Sequence, residues 1–328
     1  MNTKEEILTR LRQTEGYLSG EQLSETLGVS RAAVWKAITA LRESGYAIDS
    51  ATNRGYRLTA SPDVLTPEEI RCGLHTRAIG KNIVALQEVD STNEEAKRQA
   101  QCGAPDGSVF LAERQTGGKG RLGRTWESPA GTGIWFSVLL RPSLVPSEIS
   151  SITLLAGIAV CRGIRSVTGC AAKLKWPNDV VIGSRKVCGI LTEIGIEAES
   201  REVDYAVVGI GINCAHAELP PEVAAMSADL ETATGKKPDR SRLAAELVWS
   251  LYEMEQALFT QKDAWLAEFS AHCVTIGQDV KLVRGDEIQF AHADGIDGEA
   301  ALLVTYPDGT TGVIASGEVS VRGMYGYT

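Results

Sequence analysis

The segment Gly117–Trp126 combines four glycines, three cations and a closing aromatic residue, reading Gly-Gly-Lys-Gly-Arg-Leu-Gly-Arg-Thr-Trp. Glycine carries no Cβ, so the backbone amides of such a loop can approach a ligand closely. Cations between those amides suit a bound phosphate or carboxylate, and the indole offers a flat face for a ring. The segment is therefore a candidate anion-binding loop, with a solvated surface loop as the alternative. It matches neither a P-loop nor the dinucleotide-binding fingerprint.

A second unusual run is Lys175-Trp176-Pro177-Asn178-Asp179, which predicts a rigid turn between two strands. Lys186 begins the next predicted strand, so two ammonium groups lie near one sheet edge. Such cations can neutralise a phosphate whose charge grows during group transfer. Gly189 again permits close backbone approach. The structural alternative is a hairpin turn that carries a core tryptophan.

Two shorter segments have a structural and a functional interpretation each. Asp90-Ser91-Thr92-Asn93 lies where a strand meets a helix, and these residue types are favoured there as helix N-caps. The same hydroxyls and amide could instead form a hydrogen-bonding pocket, although the segment alone favours the cap. Gly209-Ile210-Gly211-Ile212-Asn213 ends a strand and either lines a nucleotide pocket or marks a β-bulge.

The elements that must position these residues form a mixed α/β region from residue 81 onward. Several strands follow one another without an intervening helix, which favours a mostly antiparallel sheet over a doubly wound parallel one. The predicted strands are 83–89, 108–113, 133–140, 173–176, 179–182, 186–196 and 203–210. The predicted helices are 92–101, 146–167 and most of 241–272. The last 55 residues read as short strands between glycines, which indicates a small β-barrel.

The first 60 residues predict a different unit. Helices over 4–14, 19–28 and 30–44 precede a β-hairpin, and the turn between the second and third helices is only Gly28-Val29-Ser30. This is the pattern of a winged helix-turn-helix, whose third helix enters the DNA major groove. A helical domain that packs on another protein is the alternative. The candidate DNA-binding residues are Ser30, Arg31, Trp35, Lys36, Arg54 and Arg57.

Composition narrows the class of protein further. The 328 residues carry a net charge of −9, whereas residues 1–60, which we call the head, carry +1. Contact with DNA is therefore expected through the head only. Seven scattered cysteines without a Cys-x-x-Cys pair fit reduced thiols in the cytoplasm and make a zinc site improbable. No secretory signal precedes the head, and no apolar run approaches the ~20 residues of a membrane span.

Taken together and in order, these motifs resemble the bifunctional biotin–protein ligases that also repress biotin genes. The matching segments are Ser91–Asn93, Gly118–Trp126, Lys175–Asp179, Lys186 with Gly189–Leu191, Gly209–Asn213 and the tail Gly317–Arg322. The resemblance implies a multidomain α+β chain with three parts. These are a winged helix-turn-helix over residues 1–62, a mixed α/β catalytic domain like class II aminoacyl-tRNA synthetases over 63–273, and an SH3-like β-barrel over 274–328.

The same resemblance implies an ATP-dependent reaction and assigns residues to it. Biotin and ATP would give biotinyl-5′-adenylate, from which a lysine of the biotin carboxyl carrier protein takes the biotinyl group. Lys186 and Arg121 are the expected catalytic residues. The expected biotin-binding residues are Ser91, Thr92, Asn93, Gln115, Gly118, Lys119, Gly120, Arg121, Lys186 and Gly189. The expected ATP-binding residues are Arg121, Arg124, Trp126, Lys175, Asn178, Asn213 and Arg322.

The implied partners are Mg²⁺ with the ATP, operator DNA on residues 1–60, and a second copy of the chain in a ligand-promoted homodimer. No protein ligand set for a metal and no membrane partner is expected. Position 119 departs from the family in carrying Lys where Arg is usual, so a bidentate contact becomes a point charge. Two alternatives stay open, namely a biotin-sensing repressor without ligation and a lipoate-type ligase of the same fold.

Overall fold

The computed structural model describes residues 3–74, 78–142, 148–197, 202–315, 320–323 and 327–328. Two predicted features reach beyond these ranges: the helix start at Pro146, and residues 317–319 of the tail motif. The chain divides into two compact units, Met1–Gly73 and Leu74–Thr328. Each is described by itself.

The first unit is a helix-turn-helix with a wing, as predicted. Its elements are α1 Thr3–Gln13, α2 Gly20–Leu27, α3 Arg31–Glu43, β1 Ala47–Ala51, β2 Gly55–Ala60 and α4 Pro67–Cys72. Ser19 and Gln22 form the capping box that starts α2, and Gly28 ends it with a φ of 64°. The Ser30 side chain accepts from the Ala33 amide and so starts α3. These local signals fix the tight turn between the two helices.

Apolar side chains at helical spacing on α1, α2 and α3 meet in one core beneath the wing. Helix α4 contacts α1, so this compact unit continues to Gly73. The predicted boundaries at residue 62, between the winged helix-turn-helix and the catalytic domain, and at residue 273, between the catalytic domain and the C-terminal barrel, remain predictions.

The second unit is built on a seven-stranded sheet of order β3-β4-β5-β9-β8-β7-β6 among the described residues. Its strands are β3 Ile83–Val89, β4 Ser108–Gln115, β5 Gly133–Leu140, β6 Lys173–Lys175, β7 Asp179–Ile182, β8 Arg185–Ile196 and β9 Val203–Asn213. Only β3 and β4 pair in parallel, while every other neighbouring pair is antiparallel. The mostly antiparallel sheet is therefore confirmed.

Helices cover this sheet and bury its apolar side. They are α5 Thr92–Gln101, α6 Ile149–Thr168, α7 Pro221–Ala224, α8 Leu230–Thr234, α9 Arg240–Thr260 and α10 Lys262–His272. Within the described ranges, α6 is long and apolar enough, by length and composition, to cross a membrane. This corrects the expectation that no apolar segment of the chain reaches that length. In the most apolar stretch of α6, 67% of the helix is buried inside the protein. There α6 contacts α9 and β8. Burial in a core explains this apolar composition.

The chain closes with a second, antiparallel sheet of five described strands in the order β13-β12-β11-β10-β14. They are β10 Asp279–Arg284, β11 Glu287–Ile296, β12 Leu302–Thr305, β13 Thr311–Ile314 and β14 Ser320–Gly323. Trp176 joins the two sheets, because its indole Nε1 donates to the carbonyl of Ala300 over 3.1 Å. The residue is fully buried, so the core tryptophan expected of the 175–179 turn is present.

Candidate active site

One cavity of about 670 Å³ in the second unit brings the predicted motifs together. Its lining includes Ser91, Thr92, Asn93, Gln115, Lys119, Gly120, Arg121, Arg124, Trp126, Lys175, Asn178, Lys186, Gly189, Asn213 and Arg322. Gly118 is the exception: it is buried beside the cavity, where an added Cβ would lie 2.3 Å from the carbonyl oxygen of Trp126. Gly118 therefore allows the loop to pack and does not line the cavity.

At one end of the cavity, buried hydroxyl and amide groups form a closed network. The backbone N–H and the hydroxyl of Thr92 both donate to Gln115 Oε1, over 2.8 and 3.1 Å. The Ser137 Oγ lies 2.7 Å from Thr92 Oγ1 and 2.7 Å from Asn93 Oδ1. Although Ser91 occupies the N-cap position of α5, its side chain makes no capping hydrogen bond. The position of the cap was therefore predicted correctly, but no side-chain cap forms, and the Thr92 hydroxyl joins the network with Gln115 and Ser137.

Ser137 was missed by the sequence analysis, although one signal could have found it. It is a hydroxyl in the middle of the otherwise apolar strand β5, and it is fully buried. A buried hydroxyl needs a hydrogen-bond partner, which here is the polar network.

Glycines of β8 and β9 leave room for side chains from other elements. An added Cβ at Gly209 would lie 2.2 Å from Asn93 Oδ1, and one at Gly211 would lie 2.4 Å from Trp126 Nε1. Gly189 pairs with Gly211 across the two strands, and a Cβ added there would lie 2.9 Å from Trp126 Cζ3. These glycines serve close approach, and the bulge expected as an alternative at 209–213 is not present. The indole Nε1 is buried and has no acceptor among the described residues, so it is available to a bound molecule.

Arg121 and Lys186 converge on this cavity from different segments. Arg121 Nη1 donates to Asn178 Oδ1 over 3.2 Å, and Lys186 Nζ lies 2.5 Å from Asp179 Oδ1. Burial lowers the pKa of Arg121 from its ordinary value. Burial raises the pKa of Asp179, but the ammonium groups of Lys186 and Lys175 outweigh this, so it lies below the ordinary value. Two cations held in a partly dry cavity suit an anionic ligand.

Lys175 is almost completely buried at the other end of the cavity. Its Nζ donates to the carbonyl of Val321 over 3.0 Å and lies 4.1 Å from the centre of the Tyr327 ring. Burial lowers the pKa of Lys175 to about 8, although Asp179 acts in the opposite direction. The C-terminal sheet therefore contributes to this end, where Arg322 Nη1 lies 3.3 Å from Met226 Sδ.

Three further parts of the cavity wall were not among the predicted site residues. Asp179 is buried and paired with Lys186, Tyr327 contacts Lys175, and residues 219–227 supply several lining side chains. Tyr327 and the segment 219–227 carry no local pattern that signals a site. Asp179 stood inside the quoted 175–179 motif, but its pairing with Lys186 depends on the alignment of β7 and β8.

Lys119 lies on the rim of the cavity with its ammonium group directed to a protein carboxylate. Its Nζ is 2.5 Å from Glu94 Oε1, in the first turn of α5. Glu94 also pairs with Lys97, and Lys97 pairs with Glu193, which accepts from Asn93 Nδ2. The cationic loop is thereby joined by ion pairs to the polar network.

In the first unit, the predicted DNA-binding residues divide into exposed and paired groups. Trp35 is 62% exposed on α3, and Lys36 beside it is exposed as well. Arg31 pairs with Glu21. The guanidinium groups of Arg54 and Arg57 both lie over the Tyr17 ring, at 4.7 and 4.8 Å from its centre. The wing thus presents two cations that pack on one aromatic ring.

Metal ligands were not expected, and the described residues contain no group of three or more His, Cys, Asp or Glu side chains placed to hold an ion. Oxygen donors do line the cavity, among them Asn178, Asn213 and Glu222. An ion there would need further ligands from a bound molecule.

Comparison with known proteins shows which families this architecture matches. Three family models match the chain in order: an HTH domain over residues 3–57, the Biotin/lipoate A/B protein ligase family over 85–213, and the Biotin protein ligase C terminal domain over 275–322. The bifunctional ligase/repressor BirA of Bacillus subtilis is 34% identical over 300 residues, which cover 89% of this chain and 90% of the relative.

The chain belongs to the biotin protein ligase family. The Escherichia coli BirA, likewise described as a bifunctional ligase/repressor, is 32% identical to this family member and covers 93% of it, with 92% of the relative aligned. Among solved structures, the biotin protein ligase of Aquifex aeolicus in complex with biotin and ATP superposes with a TM-score of 0.64. That match has 31% identity and covers 74% of this chain and 99% of the Aquifex chain.

Proposed function

We propose that the chain is an ATP-dependent biotin–protein ligase whose head makes it a biotin-responsive transcriptional repressor. The observation that carries the ligase assignment is the convergence of Arg121 and Lys186 on one cavity that also holds the Thr92–Gln115 network. A similar chain from Aquifex aeolicus has biotin and ATP bound. Two relatives that align over 90% and 92% of their own length are each named as a bifunctional ligase/repressor.

The proposed reaction has two steps, neither of which needs a nucleophile from this chain. A biotin carboxylate oxygen attacks the α-phosphorus of ATP, pyrophosphate leaves, and biotinyl-5′-AMP forms. The ε-amine of an acceptor lysine then attacks the activated carbonyl carbon, and AMP leaves with the bonding electrons. Arg121 and Lys186 stabilise the negative charge that develops on the carboxylate and phosphate oxygens.

The polar end of the cavity is assigned to the ureido ring of biotin. Ser91, Thr92 and Asn93 are buried, Gln115 is partly buried, and together these side chains offer both donors and acceptors. A ureido group needs both, whereas the dithiolane of lipoate offers no donor to such a pocket. The network therefore supports biotin over the lipoate-type substrate that the family model also includes.

ATP is expected to enter as its magnesium complex, because polyphosphate oxygens prefer a hard cation. The phosphates would supply most ligands. Asn213 is a candidate for a protein oxygen ligand, since it lines the cavity and its bond to the Ala228 carbonyl uses Nδ2 and not Oδ1. Bound in this way, the ion would offset phosphate charge beside Lys175 and Arg322.

The direct test is incubation of the chain with biotin, MgATP and a biotin carboxyl carrier domain, read by mass spectrometry of the carrier. Pyrophosphate release is measured in parallel. One biotinyl group on a single carrier lysine is expected. Equal transfer of lipoate in a mixed-substrate reaction would favour the lipoate-type alternative, and ligand binding without pyrophosphate release would favour a sensor that does not ligate.

For repression, we propose that the adenylate promotes a homodimer that pairs two heads on a palindromic operator. The support is that each chain has a single head with few cations left for DNA. Trp35 and Lys36 are exposed, but Arg31 and Arg57 form ion pairs within the head. Sedimentation and footprinting with and without biotinyl-5′-AMP test this. An adenylate-bound chain that stays monomeric and binds operator no better than the apo chain would refute the proposal.

All of these substrates are found in the cytoplasm, which is our proposed location. The seven cysteines are free thiols in the structure, as a reducing compartment requires.

Replacement of Arg121 by glycine is expected to shorten the lifetime of bound biotinyl-5′-AMP by about tenfold, because one charged hydrogen-bond donor is lost from the cavity. The measurement is release of radiolabelled adenylate in the absence of carrier. Leu122→Gly is the control, since it also introduces a glycine into the loop, at an exposed position whose φ of 57° glycine adopts without strain. Equal rates of adenylate release from the two variants would show that the Arg121 side chain does not retain the adenylate.

The affinity for MgATP should fall as pH rises through about 8, the pKa of buried Lys175 in the free protein. Nucleotide phosphates favour the charged amine, so the pKa is higher in the complex and binding takes up a proton in this range. Calorimetric titrations between pH 7 and pH 9.5 measure the slope. Lys175→Arg stays charged throughout and should show a flat profile; the same slope in both proteins would contradict the assignment.

A further inference from the structure

The penultimate residue of the chain reaches the candidate active site. Tyr327 lines the cavity, and its hydroxyl donates to Asp179 Oδ2. The residue lies beyond the end of β14 and outside the segments that carried the ligase assignment. Its position therefore calls for a separate explanation.

Asp179 connects Tyr327 to the proposed catalytic lysine. One carboxylate oxygen accepts from the tyrosine hydroxyl, and the other lies 2.5 Å from Lys186 Nζ. The carboxylate is buried, so it depends on these donors in place of water. The hydrogen bond from Tyr327 fixes the rotation of the carboxylate, and with it the position of the oxygen that forms the ion pair with the Lys186 ammonium group.

The ring of Tyr327 serves the same part of the site. It lies 4.1 Å from Lys175 Nζ and 5.4 Å from the Arg322 guanidinium carbon. An aromatic face stabilises cations that have lost part of their hydration. The one side chain thus contacts two cations at the proposed nucleotide end, and it reaches a third, Lys186, through Asp179.

We propose that Tyr327 is a positioning residue for adenylate formation, which holds Lys186 through Asp179 at the reacting carboxylate and phosphate. The inference rests on the proposed ligase function. Tyr327 does not touch the reacting atoms itself: its hydroxyl fixes the carboxylate, and its ring forms a wall beside Lys175.

The test compares Tyr327→Phe, which keeps the ring and removes the hydroxyl, with the wild-type chain in biotin-dependent pyrophosphate release. Loss of one hydrogen bond to a buried charge should lower kcat by about tenfold. The KM for biotin should be unchanged, because the Thr92–Gln115 network is untouched. Tyr306→Phe removes a hydroxyl from the loop between β12 and β13, at a residue that does not line the cavity, and should retain the wild-type kcat.

A double-mutant cycle separates positioning from a general structural effect. If Tyr327 acts through Asp179, then Tyr327→Phe should change kcat by less than about twofold in an Asp179→Asn background. A wild-type kcat in Tyr327→Phe, or a full tenfold loss in the Asp179→Asn background, would overturn the proposal. Absence of pyrophosphate release from the wild-type chain would instead refute the ligase assignment, so the two failures are distinguishable.

Discussion

Lys186→Ala should reduce biotin-dependent pyrophosphate release by about a hundredfold or more, as expected when a charge that stabilises the transition state is removed. The Lys186 Nζ lies 5.1 Å from the centre of the Trp126 ring and pairs with Asp179, so it sits between the loop and the sheet. Its removal also leaves the buried carboxylate with one cation fewer. The loss should appear in kcat, measured under saturating biotin and MgATP.

Lys173→Ala is the matched control for this variant. Lys173 is an exposed lysine at the start of β6 and does not line the cavity, so its loss should leave turnover unchanged. Circular dichroism and biotin binding establish that both variants are folded. Near-normal turnover in a folded Lys186→Ala chain would show that the lysine does not stabilise the transition state. It would thereby refute the central element of the proposed mechanism.

The sequence predicted the second unit well where local signals decide structure. Strands Ile83–Val89 and Gly133–Leu140 and helix Thr92–Gln101 have the predicted bounds. Alternating or periodic apolar residues between clear breakers leave few other possibilities there. Three of the motifs could be placed in this way, because Ser91–Asn93 follow β3, Gly118–Trp126 follow β4 and Gly209–Asn213 end β9.

Contacts between distant segments were beyond such reasoning. Lys119 was expected to bind biotin, and the structure adds a contact of its Nζ with Glu94, 25 residues earlier in the chain. Asn93 was weighed as part of a helix cap, whereas its amide donates to Glu193 from β8. Each outcome depends on which strands are neighbours. A single sequence does not fix that order, and residue type alone does not reveal it.

Helix α4 shows the same limit in the first unit. It starts where the Thr66 hydroxyl accepts from the Glu69 amide over 3.2 Å. The helix was assigned to the catalytic region, but in the structure it packs on α1. The reason is a buried polar cluster in which the Glu69 side chain, 1% exposed, accepts from Arg12 and from the Tyr46 hydroxyl.

Glu69→Ala should therefore destabilise the head by about 3–5 kcal/mol, the usual cost of leaving one member of a buried ion pair without its partner. Hydrogen exchange within residues 3–72 of the full-length chain measures this, together with operator binding, which should be lost. Pyrophosphate release should persist, because residues Leu74–Thr328 form a separate compact unit. Glu68→Ala, at the partly exposed neighbouring acid of α4, is the control and should leave exchange unchanged. Parallel loss of ligation and operator binding in Glu69→Ala would contradict the independence of the two units, whereas unchanged exchange would show that the buried carboxylate contributes nothing to the head.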